Sequence, residues 1–260
     1  MIAIIFYFSA TGNSQYAAEK IVSATGDRII SIGLALKDEH FAFDVSNDER
    51  IGLVVPTFAW TLPGVVAEFI NKMELTGYKD QYVYGVFTCG ESSGKESAAL
   101  YTMLKEKSID FNGSFDLVMP DNFILWSQVP SEDRLHQIFK SADEVLDAII
   151  SKIVVKENGV LDSEKPDDLY MPLITISSAD GSSKFYATSE CNGCGLCKEI
   201  CPMRCIEMDS EQHPVWQGDC TMCLSCLHRC PEQAIQHAND TLDKGRYINP
   251  HVKLQLNNEY

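Results

Sequence analysis

Residues 2–14 read Ile-Ala-Ile-Ile-Phe-Tyr-Phe-Ser-Ala-Thr-Gly-Asn-Ser, a hydrophobic run that passes directly into a polar loop. The run Ile2–Phe8 is rich in β-branched and aromatic residues, and it predicts a strand that is buried on both faces. From Ser14 onward, the spacing of apolar residues predicts a helix. A strand, a short loop and a helix in this order predict the first unit of an α/β fold.

The same alternation continues through the first 150 or so residues and predicts a doubly wound, five-stranded parallel sheet with covering helices. The predicted strands are Ile2–Phe8, Arg28–Ile32, Arg50–Val55, Tyr82–Thr88 and Phe115–Met119. The clearest predicted helices are Ser14–Ser23, Val65–Lys72, Lys95–Lys107 and Glu132–Lys152.

After Val155 the pattern breaks into polar and turn-forming residues, which predict a linker or an irregular connection. From about Ser183 the chain is rich in cysteine, glycine and proline and has no long periodic helix. This part therefore needs something other than a large apolar core to hold it together. The predicted domains are residues 1–155 and 183–260, joined by residues 156–182.

The chain has 260 residues, of which 45% are hydrophobic and 22% are charged, values typical of a globular protein. Its first eight residues lack the features of a secretion leader, and no apolar run reaches the length of a membrane span, so we expect a cytoplasmic protein. In that reducing compartment the ten cysteines need a role other than disulfide formation.

The net charge of -16 makes nucleic acid a poor partner and favours redox partner proteins with basic docking surfaces. Plain solubility explains this net charge equally well.

Eight of the ten cysteines form two runs with the spacing C-x-x-C-x-x-C-x-x-x-C-P. Each cysteine of the second run lies 29 positions after its counterpart (220 − 191 = 29), so the segment is an internal duplication. The first run is Cys191, Cys194, Cys197 and Cys201, and the second run is Cys220, Cys223, Cys226 and Cys230.

Three thiolates at three-residue steps on one loop can bind three corners of a cubane iron–sulfur cluster, while the fourth, followed by proline, reaches the other cluster. The first ligand set is therefore Cys191, Cys194, Cys197 and Cys230. The second ligand set is Cys220, Cys223, Cys226 and Cys201. This pattern resembles bacterial two-cluster ferredoxins, and the resemblance implies two [4Fe-4S] clusters in a small α+β domain.

Two other interpretations of the cysteines remain open. Zinc sites use two separated C-x-x-C pairs, and a third cysteine in each run fits that pattern poorly. Cys205 corresponds to Ala234 in the duplication, so we interpret it as a small apolar residue beside a cluster. The alternative is that Cys205 can replace a lost ligand.

The loop after the first strand combines hydroxyl groups, a glycine and a helix start, which together favour an anion site. It has no lysine or arginine and lacks the three spaced glycines of a dinucleotide fold, so a monophosphate fits best. Its pattern resembles the FMN phosphate loop of flavodoxins, and the alternative is that these residues only cap the helix. The candidate residues are Ser9, Thr11, Gly12, Asn13 and Ser14.

In a doubly wound sheet the ligand lies beyond the carboxyl ends of the strands, so the loops after the third and fourth strands should complete the site. Trp60 is the preferred residue for stacking on a flavin ring, and the alternative is that Phe58 and Trp60 only cover the sheet. Cys89 is interpreted as a compact strand-end residue, with a redox-active thiol as the alternative. The candidate residues of these loops are Thr57, Phe58, Ala59, Trp60, Thr88, Cys89, Gly90 and Gly94.

Taken together, these motifs resemble the fusion proteins of anaerobic bacteria and archaea that join a flavodoxin-like domain to a two-cluster ferredoxin. The segments 56–64, 119–123 and 245–250 also resemble that family, so the resemblance spans nearly the whole chain. It implies a flavodoxin-like sheet domain that binds FMN and a small ferredoxin-like domain. The flavin-facing loops depart from those of small flavodoxins in their acidic and aromatic residues.

The predicted function is electron transfer between FMN and two [4Fe-4S] clusters. The alternative is a flavin-dependent reductase that acts on a small-molecule acceptor and draws electrons from its own ferredoxin domain. No Ser-His-Asp triad or paired carboxylates stand out, so no catalytic residue is assigned. A zinc-stabilised interaction module is the third possibility.

Overall fold

The computed structural model describes residues 2–159 and 182–260. Seven strands lie in its N-terminal part: β1 (Ile2–Tyr7), β2 (Arg28–Ser31), β3 (Ala42–Asp44), β4 (Asp48–Pro56), β5 (Glu74–Thr76), β6 (Tyr82–Cys89) and β7 (Gly113–Val118). Five of them form one parallel sheet in the order β2-β1-β4-β6-β7, while β3 and β5 form a separate parallel pair. Counted along the sheet's own strands, the order is 2-1-3-4-5, which is the order of the flavodoxin-like fold.

Five helices cover the sheet: α1 (Asn13–Thr25), α2 (Ile32–Asp38), α3 (Gly64–Lys72), α4 (Glu96–Glu106) and α5 (Glu132–Val154). The side chains of β1 alternate between two apolar cores. Ile4 and Phe6 pack in the core beneath α2, α3 and α4, whereas Ile5 packs in the core beneath α1 and α5. The sheet is therefore buried on both faces, as continuous hydrophobic strands require.

The predicted fold class is confirmed, and the five predicted strands agree with the observed ones to within two residues at each end. The prediction was wrong at Ile32, which begins α2 instead of ending the second strand. The physical reason is the side chain of Ser31, which caps α2 by accepting a hydrogen bond from the N–H of Leu34 at 3.4 Å. Helix α2 and the β3–β5 pair were not predicted.

The C-terminal part consists of short elements: β8 (Phe185–Ala187), α6 (Leu196–Glu199), β9 (Ile206–Met208), β10 (Pro214–Trp216), α7 (Ser225–Arg229) and β11 (Ile235–His237). Strand β8 pairs antiparallel with β11, and β9 pairs antiparallel with β10. Helices α6 and α7 lie at corresponding places in the two cysteine runs, so the duplication in the sequence is also a duplication of structure. Most of the predicted linker, residues 160–181, lies outside the described residues.

The two parts of the chain pack against each other. Ile124, from the loop after β7, is fully buried in the apolar cluster of the C-terminal part, and Cys223 packs against the core of the N-terminal part. The C-terminal tail, residues 245–260, runs back over the sheet domain, where Tyr7 Oη donates a hydrogen bond to Gln255 Oε1 at 2.6 Å. None of the described helices is both long enough and apolar enough to cross a membrane.

Candidate cofactor sites

A cleft lies where the carboxyl ends of β1, β4, β6 and β7 meet, which is the position expected for a ligand in this fold. It contains nine of the thirteen candidate residues. Gly12, Ala59, Trp60 and Gly94 are not part of its lining. The lining residues are Ser9, Ala10, Thr11, Asn13, Ser14, Pro56, Thr57, Phe58, Thr88, Cys89, Gly90, Met119, Pro120, Asp121 and Asn122.

The loop after β1 presents the start of α1 to this cleft. Gly12 occupies the N-cap position with a φ of 107°, and no side chain caps the helix. Within the described residues, no acceptor is found for the N–H groups of Asn13 and Ser14, the first two of α1. The capping alternative is therefore wrong, and these donors remain available to an anion.

The hydroxyl groups of the loop connect it to the neighbouring strands. Ser14 Oγ lies 2.7 Å from Thr88 Oγ1, at the end of β6, and both residues are buried. Thr11 Oγ1 accepts a hydrogen bond from Asn122 Nδ2 at 2.6 Å, after β7. Residues at the end of β6 and after the end of β7 thus hold the loop that follows β1.

Gly12 is held from the other side by the C-terminal tail. A Cβ atom at Gly12 would lie 2.6 Å from Val252 Cγ2 and 2.9 Å from Asn249 Cβ, so no larger residue fits. The N–H of Asn249 donates to the carbonyl of Thr11 at 2.8 Å, and Tyr247 Oη donates to Asn13 Oδ1 at 2.6 Å. The loop therefore depends on residues more than 200 positions away.

The loop after β4 brings Phe58 to the cleft and leaves Trp60 outside it. Trp60 is 62% exposed and has a left-handed backbone with a φ of 61°. Gly94 supports this turn, because a Cβ atom at Gly94 would lie 2.6 Å from Trp60 Cβ. A stacking role for Trp60 therefore stays a prediction, and Phe58 is the aromatic residue that lines the cleft.

Two buried titratable groups lie behind the cleft. Burial raises the pKa of the Cys89 thiol to about 12, with Asp116 and Glu96 adding to the effect. Glu96 is fully buried, accepts a hydrogen bond from Thr57 Oγ1, and has no hydrogen-bond partner for its other oxygen within the described residues. Burial raises its pKa well above the usual value. Cys89 is thus an unreactive thiol at neutral pH, in agreement with the compact strand-end interpretation.

The loop after β7 was not assigned to the site, although it follows the fifth strand at the same edge of the sheet. Asn13 Nδ2 donates to the carbonyl of Pro120 at 2.9 Å, and Asn122 contacts Thr11 as described above. The signal that could have found these residues is their position directly after a predicted strand.

The four cysteines of the second ligand set line one cavity of the C-terminal part, under Phe185 and Trp216, whose stacked rings lie 5.5 Å apart. Cys205 lies in the same wall, with its Sγ atom 3.5 Å from Cys201 Sγ. None of the ten cysteines forms a disulfide. A cavity lined by four thiols fits an iron–sulfur cluster. Within residues 2–159 and 182–260, no three cysteine, histidine or carboxylate side chains converge closely enough to hold a single metal ion.

The two ligand sets differ in exposure. In the first set Cys194 is exposed and only Cys197 is buried, whereas in the second set both Cys201 and Cys226 are buried. The second set also lies nearer the cleft, because Cys201 and Cys223 border a second cavity together with Ser9 and Ala10 of the loop after β1.

Helix α7, which lies between Cys223 and Cys230, contacts the cleft loops directly. The carbonyl of Ala10 accepts hydrogen bonds from Arg229 Nε at 2.8 Å and from Ser225 Oγ at 3.2 Å. His228 Nδ1 accepts from the N–H of Tyr247 at 3.1 Å, so Nε2 holds the proton and donates to the carbonyl of Asn122 at 2.8 Å. Burial lowers the pKa of His228 to about 4, which keeps the ring neutral. No pattern in the sequence indicates these contacts.

Residues 183–242 match the protein family described as a 4Fe-4S dicluster domain. No curated protein matches the chain. The fold and this match fit the flavodoxin–ferredoxin fusion that the sequence motifs resemble.

Among solved structures, the two-electron reduced flavodoxin of Megasphaera elsdenii is 24% identical, with a TM-score of 0.35, over 47% of this chain and 90% of that one. A flavoprotein in complex with FMN from Lactobacillus acidophilus is 16% identical, with a TM-score of 0.35, over 44% of this chain and 91% of that one. An azoreductase from Bacillus anthracis is 11% identical, with a TM-score of 0.36, over 58% of this chain and all of that one (100%).

Proposed function

We propose that this protein is an intracellular electron carrier that transfers electrons between FMN in its N-terminal part and two [4Fe-4S] clusters in its C-terminal part. The observation that carries the proposal is the contact of α7 with the cleft. In the segment that joins Cys226 of one ligand set to Cys230 of the other, the side chains of Arg229 and His228 donate hydrogen bonds to the carbonyl groups of Ala10 and Asn122. One short segment thus connects both ligand sets to the candidate flavin loops.

FMN fits the cleft for three reasons. The donors at the start of α1 match a phosphate, and the absence of lysine and arginine from residues 9–14 favours a monophosphate over a triphosphate. Phe58, which lines the cleft, offers an aromatic face, and a role for Ala59 and Trp60 is part of the same proposal. Gly90 lines the cleft without a side chain, so its backbone is open to close approach of a ring edge. When bound, FMN would supply a centre that can hold one or two electrons.

The cysteines would hold the clusters in the two ligand sets defined above, and the chain would tune them through burial and nearby charge. The first set, with exposed Cys194, is the one an external redox protein could approach. The net charge of -16 favours a partner with a basic docking surface. The division into residues 1–155, 156–182 and 183–260 belongs to the same proposal.

The first test is the content of iron, acid-labile sulfide and extracted flavin in protein purified without oxygen. About eight iron, about eight sulfide and about one FMN per chain are expected. Zinc in place of iron would overturn the proposal. Full iron without flavin would leave the iron–sulfur part in place and remove the internal transfer. Saturable turnover of an organic acceptor would favour the reductase instead of the carrier.

A matched pair of glycine variants tests the flavin site. Gly12 and Gly26 flank the same helix, both with positive φ, but a Cβ atom meets the tail only at Gly12 and meets nothing within 4 Å at Gly26. Gly12→Ala is expected to lower flavin affinity at least tenfold with iron unchanged. Gly26→Ala is expected to keep flavin and iron and to lose only about 1 kcal/mol of stability. Equal flavin affinity of both variants would mean that the loop after β1 is not part of the flavin site.

A further inference from the structure

Only two arginines are buried among the described residues, and they differ in their partners. Arg50 is 6% exposed and forms an ion pair with Asp27 at 2.9 Å. Arg229 is 8% exposed, yet no carboxylate of residues 2–159 or 182–260 lies within 4.0 Å of its guanidinium group. A buried charge without a partner is costly, so we expect a negative charge other than the carboxylates of the described residues to stabilise Arg229.

The surroundings of Arg229 identify that charge. Its Nε atom is fixed 2.8 Å from the carbonyl of Ala10, and Cys201 and Cys223 border the same cavity. Both cysteines belong to the second ligand set. Four thiolates around a cubane core leave a net negative charge on the cluster, and that charge is one of the factors that set its potential.

We propose that Arg229 is the counter-charge of the cluster held by the second ligand set, and that the loop after β1 positions it. This inference rests on the proposed function. An electron added to the cluster adds negative charge, so a fixed positive charge nearby stabilises the reduced form more than the oxidised form. Arg229 therefore raises the midpoint potential of this cluster above the value that it would have without this charge.

The test is an anaerobic redox titration of the full chain, with both clusters followed by electron paramagnetic resonance. Arg229→Gln removes the charge and keeps a hydrogen-bond donor for Ala10. It is expected to lower one of the two midpoint potentials, shifting the oxidised-to-reduced ratio at a fixed potential about tenfold, or about 59 mV for one electron. The other potential is the internal reference and should change less, because Cys230 is the only ligand of the first set that lies next to Arg229 in the chain.

Two further variants separate charge from structure. Arg229→Lys keeps the charge and is expected to restore most of the potential. Arg204→Gln removes an arginine of the same C-terminal part that is exposed and paired with Glu39, and it is expected to change neither potential, because water and salt screen that charge. A potential lowered equally by Arg229→Gln and Arg229→Lys would mean that Arg229 acts through packing, which overturns the inference.

Inorganic sulfate offers a last check. If added sulfate shifted the wild-type potential but not that of Arg229→Gln, a dissolved anion in the cavity would be the partner of Arg229, and the inference would be wrong. Protein without iron and sulfide would remove the proposed function itself. Intact clusters with identical potentials in wild type and Arg229→Gln would remove only the role of Arg229.

Discussion

The two cysteine runs share one backbone path and differ in side chains at equivalent turns. Gly193 and Gly195 of the first run have φ angles of 73° and 74°, and their counterparts Met222 and Leu224 have φ angles of 54° and 60°. Glycine adopts this left-handed conformation without steric cost, whereas methionine and leucine do not. Met222 and Leu224 are 5% and 2% exposed, so burial of their side chains offsets the backbone cost. The duplication preserves the backbone conformation of these turns, and the burial of each position determines which residue type occupies it.

The same contrast appears in how each run meets the N-terminal part. Near the first run, Lys37 forms an ion pair with Glu199 at the surface. Near the second run, the hydrogen bonds from Ser225 and Arg229 to Ala10 are buried. The second run thus forms buried hydrogen bonds with the cleft loops, while the first run contacts the N-terminal part through a pair at the surface.

The largest effect should come from the third cysteine of each run, Cys197 and Cys226, which are equivalent in the duplication and both buried. Changing either to serine is expected to remove about half of the iron and sulfide. Only Cys226→Ser should also lower flavin affinity, at least tenfold, because Cys226 lies in the helix that supports the cleft loops. Iron, sulfide and flavin titrations of both variants measure this. Equal flavin affinity in the two variants would contradict the proposal that only the second run supports the cleft loops.

A smaller effect is expected from exchanging residues at an equivalent turn. Leu224→Gly should lower the free energy of unfolding by about 1–3 kcal/mol, since the loss of a buried leucine outweighs the relief of its backbone. Gly195→Leu should lower it by only about 1–2 kcal/mol, because a Cβ atom there meets nothing within 4 Å. Anaerobic urea denaturation of the loaded protein compares them. A greater loss in Gly195→Leu would show that the backbone, and not burial, governs these positions.

Burial also raises the pKa of Glu96. Glu96 lies outside both cysteine runs, so its variant tests an effect of burial that does not involve the clusters. Its folded-state pKa lies above the usual value of 4.5. At a pH between 4.5 and the folded-state pKa, Glu96 is protonated in the folded protein and ionised in the unfolded chain. The free energy of unfolding therefore falls as the pH rises above 4.5. Glu96→Gln should remove this slope and raise stability at pH 7 by about 1–3 kcal/mol.

Denaturation at several pH values, with iron content as the control, measures the effect of Glu96→Gln. An unchanged slope would mean that Glu96 is ionised in the folded protein.

The smallest effect is expected at the surface contact of the first run. Lys37→Gln removes the pair with Glu199 and should cost less than about 1 kcal/mol, because the pair is exposed to solvent. Flavin and iron should be unchanged, and the difference from wild type should vanish at high salt. A loss of flavin in this variant would show that the first run also supports the cleft.

Much of the fold could be predicted because its signals are local. Ile2–Phe8 reads as a buried strand from composition alone, and a glycine with hydroxyl residues marks the following loop. Helix α2 escaped prediction because it is only seven residues long, too short for a periodic pattern. The cleft residues Pro120 and Asn122 escaped because neither residue type indicates a ligand without its position in the sheet.

The sequence by itself determined the strand–loop–helix unit and the repeat of the cysteine run after 29 positions. It also led to the proposed ligand sets. Each of these rests on the spacing of residues that are close in the chain. Tertiary structure alone decided which run forms buried hydrogen bonds with the cleft loops, that the tail covers Gly12, and that Arg229 lies buried with no carboxylate partner among the described residues. The contact of Arg229 with Ala10 joins residues 219 positions apart. Such contacts depend on how whole surfaces pack, and a local pattern of residues carries no information about that packing.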